Sequence, residues 1–417
     1  MRGWKPLWLA IVAVIVLVLP GTLGATTYRI LYNFGLGRDA QGPQASVTID
    51  GQNNLFGTTV AGGSFGNGTV FKLSYSPQNG WTESILHSFN YQVDGERPDG
   101  KLALDSDGDI YGTTPFGGPQ DGTVFELSPN GSGWDFGLLY DYGVHGGVVL
   151  DKAGNLYAPL GFGQFNGGAI GKLSPGQGGW EYTAIYSFCS RPDPHCADGI
   201  EPQAPLAWDK AGNLYGNTLH GGVYPYPDPC PDQQGCGLVF QLRPRPDGTW
   251  AYRILHWFGA WGDDGVLLNG GLVVDGKGNV YGTTAAGGPP FTGTVFELSP
   301  QPPGQWAQTV GYSETQLYTF PDCSQGCGPF GILARDDAGN LYGAAGGGNQ
   351  SCGGYCGVVY ELSPQPDGTW KYTLLHAFSG SDGTGPNGVT VGPDGNLYGT
   401  TIAGGKNNRG VVFEITP

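Results

Sequence analysis

Apolar and polar positions alternate in short runs along most of the chain, and each run is closed by Gly, Pro, Asn or Asp, the pattern of half-buried strands joined by tight turns. No ten-residue stretch carries the 3.6-residue apolar period of an amphipathic helix. The runs recur as a unit. NLFGTT from Asn54 returns as DIYGTT from Asp109, NLYAPL from Asn155, NLYGNT from Asn213, NVYGTT from Asn279, NLYGAA from Asn340 and NLYGTT from Asn396, seven copies spaced 46 to 66 residues apart. Each copy is predicted to be the second of four strands. Strand A is an apolar run ending in Asp, as in Lys101 to Asp105 or Gly271 to Asp275, and strand B is the copy itself. Strand C is GTVFKL from Gly68, GTVFEL from Gly122 and Gly293, or GVVFEI from Gly410. Strand D opens on Trp and closes on an aromatic residue, as in Trp81 to Phe89, Trp134 to Tyr142, Trp180 to Phe188, Trp250 to Phe258 and Trp370 to Phe378.

Four antiparallel strands repeated radially make a β-propeller, which protects its sheet edges by packing blade on blade. The ends of the chain predict how the ring closes. Tyr28 to Phe34 reads as a D strand without its A, B and C, and the C-terminus stops after a C strand at Ile415, so the two halves complete one blade. The expected fold is therefore an all-β, seven-bladed propeller of four-stranded blades over residues 26–417.

Loop lengths separate the two faces of that ring. The C-to-D turns are nearly constant, with seven or eight residues from the C-strand Leu to the D-strand Trp (Leu73 to Trp81, Leu127 to Trp134, Leu242 to Trp250, Leu362 to Trp370). The B-to-C connections vary, from 17 residues between Leu156 and Leu173 to 28 between Leu214 and Leu242. The D-to-A connections vary as well, from 14 residues between Tyr142 and Leu156 to 26 between Phe188 and Leu214. In a propeller these two variable connections share one face, and loops on a rigid scaffold are where binding resides.

Composition fits this picture and narrows the function. Gly 78 among 417 residues supplies the turns, while a charged share of 13% and a net charge of −16 exclude phosphate-backbone recognition, which needs clustered Lys and Arg. Nucleic acid is not an expected partner. Arg2 and Lys5 precede an apolar run from Leu7 to Leu19 followed by Pro20 and Gly21, which reads as a secretory signal over residues 1–25, cut near Gly24 to Thr26, or as an uncleaved anchor. A membrane is a partner only in the second case. Either way the remainder is exported, to the periplasm, cell surface or medium.

The eight cysteines form four local pairs in the variable connections of units four and six: Cys189 with Cys196, Cys230 with Cys236, Cys323 with Cys327, and Cys352 with Cys356. In an exported chain these read as disulfides, closing locally or linking the two loops of one blade. Metal ligation with His195 is the competing reading, but none of the pairs has the two-residue gap of a zinc knuckle. No metal and no cofactor is expected. A bridge closing so short a loop is worth about 2–2.5 kcal/mol, so its expected role is to stiffen exposed loops.

Candidate chemistry is sparse. His87, His256 and His376 occupy one D-strand position that is Tyr32, Tyr140, Tyr186 and Tyr318 elsewhere, which makes them structural. His145, His195 and His220 lie outside that position, without an evident nucleophile partner. Asp105 to Asp109 looks like a calcium loop, but Phe116 stands where the bidentate Glu belongs, so the segment is expected to be a hairpin turn. On the variable face, Tyr224 and Tyr226 lie in a proline-rich insertion, and Trp261, Asp263 and Asp264 follow in the next connection. Rings beside carboxylates suit stacking on sugars or peptides, and the alternative is that they pack on their own loops.

The combination of NLYGTT, a following Gly-Gly (Gly62-Gly63, Gly117-Gly118, Gly287-Gly288, Gly404-Gly405) and GTVFEL-Ser-Pro resembles the GloVer tandem-repeat family of bacterial exported proteins, the choice-of-anchor repeat proteins. The resemblance implies bacterial export and a repeat propeller and transfers no activity to particular residues. This chain ends at Pro417 without the sorting tail of anchored members. The expected function is a scaffold that binds a protein or glycan through the cysteine-bearing face, with Tyr224, Tyr226, Trp261, Asp263, Asp264, His195 and His220 as candidate contacts. The alternatives are a propeller lyase or hydrolase acting on glycans or peptides, with acid or base groups among His195, His220, Asp263 and Asp264, and a non-catalytic structural protein of the cell envelope.

Overall fold

The structure, a computed structural model, describes residues 26–190, 196–222, 230, 234–259, 264–301, 311–348 and 356–417. It is the predicted ring. Seven antiparallel blade sheets follow one another in chain order, with a further two-stranded sheet of Gly265–Val266 and Ala286–Gly287, and the seventh blade is ordered Thr27–Asn33, Val411–Thr416, Leu397–Ala403, Thr384–Val391. The first strand thus supplies the outer edge of the last blade, in register from Thr27 opposite Thr416 to Asn33 opposite Val411. Blade four comprises Ala207–Trp208, Leu214–Thr218, Leu238–Pro244 and Trp250–Trp257, and blade five Val273–Val274, Val280–Thr284, Thr294–Pro300 and Tyr312–Thr319.

The inner strands of blades one to five are short, whereas those of blades six and seven run over Cys327–Arg335 and Thr384–Val391. In place of Lys101 to Asp105 and Gly271 to Asp275, the ladders hold only Ala103–Leu104 and Val273–Val274. The inner strand has a sheet partner on one side only, and the residues before it turn to the neighbouring blade. Thr58 Oγ1 donates to the Gly100 carbonyl (3.3 Å), Asn217 Nδ2 to that of Gly270 (2.7 Å) and Thr400 Oγ1 to that of Ala45 (2.8 Å), while Thr113 Oγ1 accepts from the Gly147 amide (3.1 Å). In these four blades the first polar residue after the strand-B Gly is an inter-blade tie, whereas Thr283 Oγ1 of blade five is buried without a hydrogen-bond partner. The second is an intra-blade one: Thr59, Thr114 and Thr284 bond the hydroxyls of Thr69, Thr123 and Thr294 at 2.7–2.9 Å. In blades three and six both sides change together, to Leu160 opposite Ala169 and Ala345 opposite Val358, whereas blades four and seven keep Thr218 and Thr401 opposite Leu238 and Val411, each hydroxyl donating to the carbonyl two residues on at 2.9 Å.

The Gly of strand B faces the aromatic ring of strand C. A Cβ on Gly282 would lie 2.5 Å from Phe296 Cζ and 2.9 Å from Leu272 Cδ2, and the same ring-on-glycine contact recurs at Gly57, Gly112, Gly216 and Gly399. Blade three inverts the pair. Ala158 stands opposite Gly171, and Leu160 and Tyr182 fill the space of the missing ring. Gly282→Ala should therefore cost about 1–3 kcal/mol through overpacking. The double variant with Phe296→Leu should cost less than the sum of the two singles in urea denaturation, and strict additivity would exclude the contact as the cause.

Asp105 and its counterparts form turns, not calcium loops. Asp105, Asp151, Asp209, Asp275 and Asp336 each accept the amide of the residue four positions on at 2.8–2.9 Å. The following Tyr donates its hydroxyl to the same carboxylate, as Tyr157 does to Asp151 at 3.0 Å.

Each D strand carries one extra residue against strand C, always Leu or Ile: Leu31, Leu86, Leu139, Ile185, Leu255, Leu317 and Leu375 are skipped in the pairing. In a regular strand, residues two and six positions after the opening aromatic would share a face. The bulge reverses the second half, so one strand reaches both neighbours. The later residue of one blade then meets the earlier residue of the next. His87 stacks on Phe136 at 4.3 Å, Tyr140 on Tyr182 at 4.8 Å, Tyr186 on Tyr252 at 4.0 Å, Tyr318 on Tyr372 at 4.5 Å and His376 on Tyr28 at 3.8 Å. Two interfaces place a carboxylate where the second ring belongs: Tyr32 meets Glu83 and His256 meets Glu314.

Candidate functional site

The chain enters each inner strand along the ring axis, and the position four residues before the A-strand partner of the B-strand aromatic is Gln44, Asp99, His145, Gln203, Asn269 and Phe330 in blades one to six. Those six side chains converge on a cavity of about 290 Å³ at the end of the axis that receives the D-to-A connections. Blade seven has Pro386 at that position and contributes Asn387 instead, whose amide is anchored on the Pro43 carbonyl (2.7 Å) and Thr400 Oγ1 (3.0 Å). The following residue is Ala or Gly in blades one to six, which lets the backbones approach around so narrow a space.

Asp99, Lys101 and His145 are the titratable side chains of this lining. Burial pushes Asp99 up to about 6, against a smaller opposing effect of its backbone hydrogen bond and of Arg97, and its Oδ1 is buried without a hydrogen-bond partner. Burial pushes Lys101 down to about 8, and its ammonium donates to Thr390 Oγ1 of blade seven at 3.0 Å, reaching past blade one. His145 is lowered by burial, with Glu201 and Asp121 opposing. None of the three hydrogen-bonds or ion-pairs with another among the described residues. Chemically, the cavity offers amides, a cation and an unsatisfied carboxylate oxygen to one small polar group.

Exposed apolar side chains share its face. Of the fourteen large hydrophobic side chains exposed among the described residues, nine lie in the connections of this same face. Phe65 (59% exposed), Phe116, Phe162, Phe165 and Phe291 (76%) are in B-to-C connections, and Leu36, Tyr91, Val93 and Tyr142 are in D-to-A connections. Tyr142 and Phe162 lie against one another at 5.1 Å. The bridges Cys189–Cys196, Cys230–Cys236 and Cys323–Cys327 close locally on this face too, which is the chemistry of an oxidising, extracytoplasmic compartment. One of them differs from the expected loop brace. Cys230 and Cys236 are buried and pack with Leu255 and Phe258, so that bridge is part of the core between blades four and five. Cys356 is disulfide-bonded and buried.

Tyr224, Tyr226, Trp261, Asp263, His195 and Cys352 lie outside the described residues. His220 is buried beneath the face, with Nδ1 3.4 Å from the Gly235 carbonyl and Nε2 3.5 Å from Glu201. Asp264 is buried at the interface of blades four and five, 3.1 Å from His256 Nε2. Glu314 completes a cluster there, with Oε2 3.7 Å from the same nitrogen. Burial raises its carboxyl, the Asp264 charge adds to this, and His256 opposes. These three are the residues that the structure offers for metal ligation among those described. The cavity residues Asp99 and Lys101 and the exposed Phe ring went unnoticed in the sequence, although one signal was present: the column before strand A differs from unit to unit inside an otherwise repeated frame.

A family model described as the Gloeobacter/Verrucomicrobia repeat matches residues 18–227 and 146–366. The chain belongs to this family. No curated protein matches this repeat-family propeller. Among solved structures, it is similar to a luciferin-regenerating enzyme (18% identity, 78% of this chain and 92% of that chain, TM-score 0.46). It is also similar to a gluconolactonase from Xanthomonas campestris (14% identity, 94% and 89%, TM-score 0.41) and to the PQQ-bound form of an aldose sugar dehydrogenase from Streptomyces coelicolor (12% identity, 94% and 98%, TM-score 0.41). These likenesses are too distant to bear on activity.

Proposed function

We propose that this repeat-family propeller is an exported binding scaffold that takes a neutral glycan on its D-to-A and B-to-C face, with a terminal sugar in the axial cavity and the following residues laid across the exposed rings. One observation carries the reading: amide and charged side chains from six of the seven blades, with Phe330 from blade six, converge on a cavity of about 290 Å³, and nine exposed apolar side chains lie in the connections of the same face. Sugars offer both complements, hydroxyls for the polar groups and C–H faces for the rings. The net charge of −16 disfavours an anionic chain. Tyr224, Tyr226, Trp261, Asp263 and His195 fall in D-to-A and B-to-C segments of the sequence and are carried here as further contacts, whereas the buried His220 is not. Export is part of this proposal, supported by the N-terminal signal-like segment and the disulfides.

A glycan array probed with the protein, followed by calorimetry on the strongest hit, tests the reading. Phe162→Ala should weaken binding about tenfold, the ~1.4 kcal/mol of one stacked ring, and Asp99→Asn should alter affinity without unfolding the protein. An array with no hits, or binding indifferent to both substitutions, would sink the glycan reading. Capture of a protein ligand lost in the Phe162→Ala variant would replace the ligand class while keeping the face. The second reading is a lyase or hydrolase, favoured by the shifted Asp99, Lys101 and His145 in one cavity. It requires turnover of the bound glycan that Asp99→Asn abolishes.

A further inference from the structure

The D-strand interface is ring on ring at five places around the ring and departs from this at two, where Glu83 faces Tyr32 and where Glu314 of blade five faces His256 of blade four. Three interfaces pair a D-strand His with an Asp from the following connection: His87 with Asp94 at 2.9 Å, His376 with Asp382 at 2.9 Å and His256 with Asp264 at 3.1 Å. The first two are capped by the rings of Phe136 and Tyr28. Only the third meets a second carboxylate. There, one ligand atom from each of His256, Asp264 and Glu314 lies within 4.8 Å of the others, with His256 Nε2 3.1 Å from Asp264 Oδ2 and 3.7 Å from Glu314 Oε2.

Four ligands at the 2.0–2.2 Å bond lengths of tetrahedral zinc stand about 3.4 Å apart, so the two measured separations bracket the spacing that such an ion imposes. Two further observations point to an ion. Glu314 Oε1 is fully buried without a hydrogen-bond partner, and none of the three side chains ion-pairs with Lys or Arg among the described residues. The cluster therefore brings two carboxylates and an imidazole nitrogen together with no Lys or Arg among the described residues. The Asp264 side chain is 1% exposed, whereas His256 and Glu314 keep 12% and 16% of their surface, so the cluster is not sealed from solvent. One imidazole with two carboxylates suits zinc and similar divalent metals, whereas calcium takes six to eight oxygens.

We infer that His256, Asp264 and Glu314 form a divalent-cation site of the zinc class that ties blade four to blade five. The fold itself supplies the variants that test it. Glu314→Tyr restores the residue that blades three, four, six and seven carry at this position, and His256→Tyr the residue of blades two, three, five and seven. Both substitutions are compatible with the architecture, and near-UV circular dichroism verifies folding. Chelator-treated protein is titrated with zinc chloride by calorimetry, with thermal melts recorded alongside. The wild-type protein should take up one ion per chain at micromolar zinc and melt several degrees higher with zinc than without. Glu314→Tyr and His256→Tyr should lose both the saturable uptake and the shift, while His376→Tyr, at a ring-capped interface, should keep them. Absence of saturable uptake by the wild type overturns the site, and so does undiminished uptake by Glu314→Tyr, which would place the ion elsewhere.

Discussion

A chain lacking residues 1–34 is expected to lose cooperative folding, whereas one lacking only residues 1–25 should melt like the full protein. The reason is that Thr27–Asn33 is the outer strand of blade seven and therefore serves two interfaces at once. Toward blade six, Tyr28 stacks on His376 at 3.8 Å and donates its hydroxyl to the Asp382 carbonyl at 2.6 Å. Toward blade one, Phe34 is wholly buried and lies edge-on to Phe71 at 5.1 Å, while Tyr32 donates to Glu83 at 3.2 Å. Within the blade, Arg29 pairs with Glu414, Asn33 Oδ1 accepts the Lys406 amide at 2.8 Å, and Asn407 Nδ2 donates to the Phe34 carbonyl at 2.9 Å. Tyr28, Ile30, Leu31, Tyr32 and Phe34 all join core clusters. At about 1.5–3 kcal/mol for each side chain removed from water, their loss rivals the ~5–15 kcal/mol that holds a domain folded. Urea denaturation of the two truncations makes the comparison, and a peptide spanning residues 26–36 should restore a sharp transition to the shorter chain. Equal midpoints for both truncations would mean that the ring does not depend on this strand.

The seven-fold period, the closing strand and the division between a constant and a variable face were all legible in the sequence, because each rests on short-range pattern. Gly opposite an aromatic ring and Asp before Asn are contacts within one sheet, so they recur through most of the units, and Thr opposite Thr recurs in three of them. What escaped is what the ring creates between units. The D-strand bulge hides in an apolar neighbour, Leu or Ile set directly before the His or Tyr, and a strict alternation places both key residues on one face when they lie on two. The axial cavity is the same kind of feature: Asp99, His145, Gln203 and Asn269 are about 45 to 65 residues apart in sequence and become neighbours only because seven strands share one axis. Asp264 was read as a surface carboxylate because a loop acid is usually solvated, and nothing in its own segment announces His256 across the connection and Glu314 on the next blade. The aromatic face was judged from its longest insertions, while its described rings sit in ordinary short loops such as Phe65 and Phe116.

Glu83→Gln is expected to stabilise the protein, by a margin that grows with pH. Glu83 stands where other blades present a ring, at the seam between the closing blade and blade one. Burial pushes its carboxyl up to about 9, the nearby Asp39 carboxylate adds to this, and the hydrogen bond from Tyr32 opposes it. One of its oxygens is buried with no partner. The sign follows from proton counting. An unfolded Glu, with its ordinary value of 4.5, is ionised above that pH, whereas the folded chain holds the proton until pH approaches 9. Between those values the native state binds more protons than the unfolded one, so stability falls as pH rises, by about 1.4 kcal/mol per unit for this single group. Gln mimics the protonated carboxyl, an N–H toward Asp39 and an acceptor for Tyr32, and carries no such dependence. Variant and wild type should therefore coincide near pH 4, differ by about 3 kcal/mol at pH 7, and diverge further up to pH 9 in urea denaturation. Parallel curves across that range would show that Glu83 is ionised in the folded ring. A diverging pair would make the closing seam the part of the propeller most readily opened by alkali, since the strand lost in the truncation and the carboxyl neutralised here meet at Tyr32.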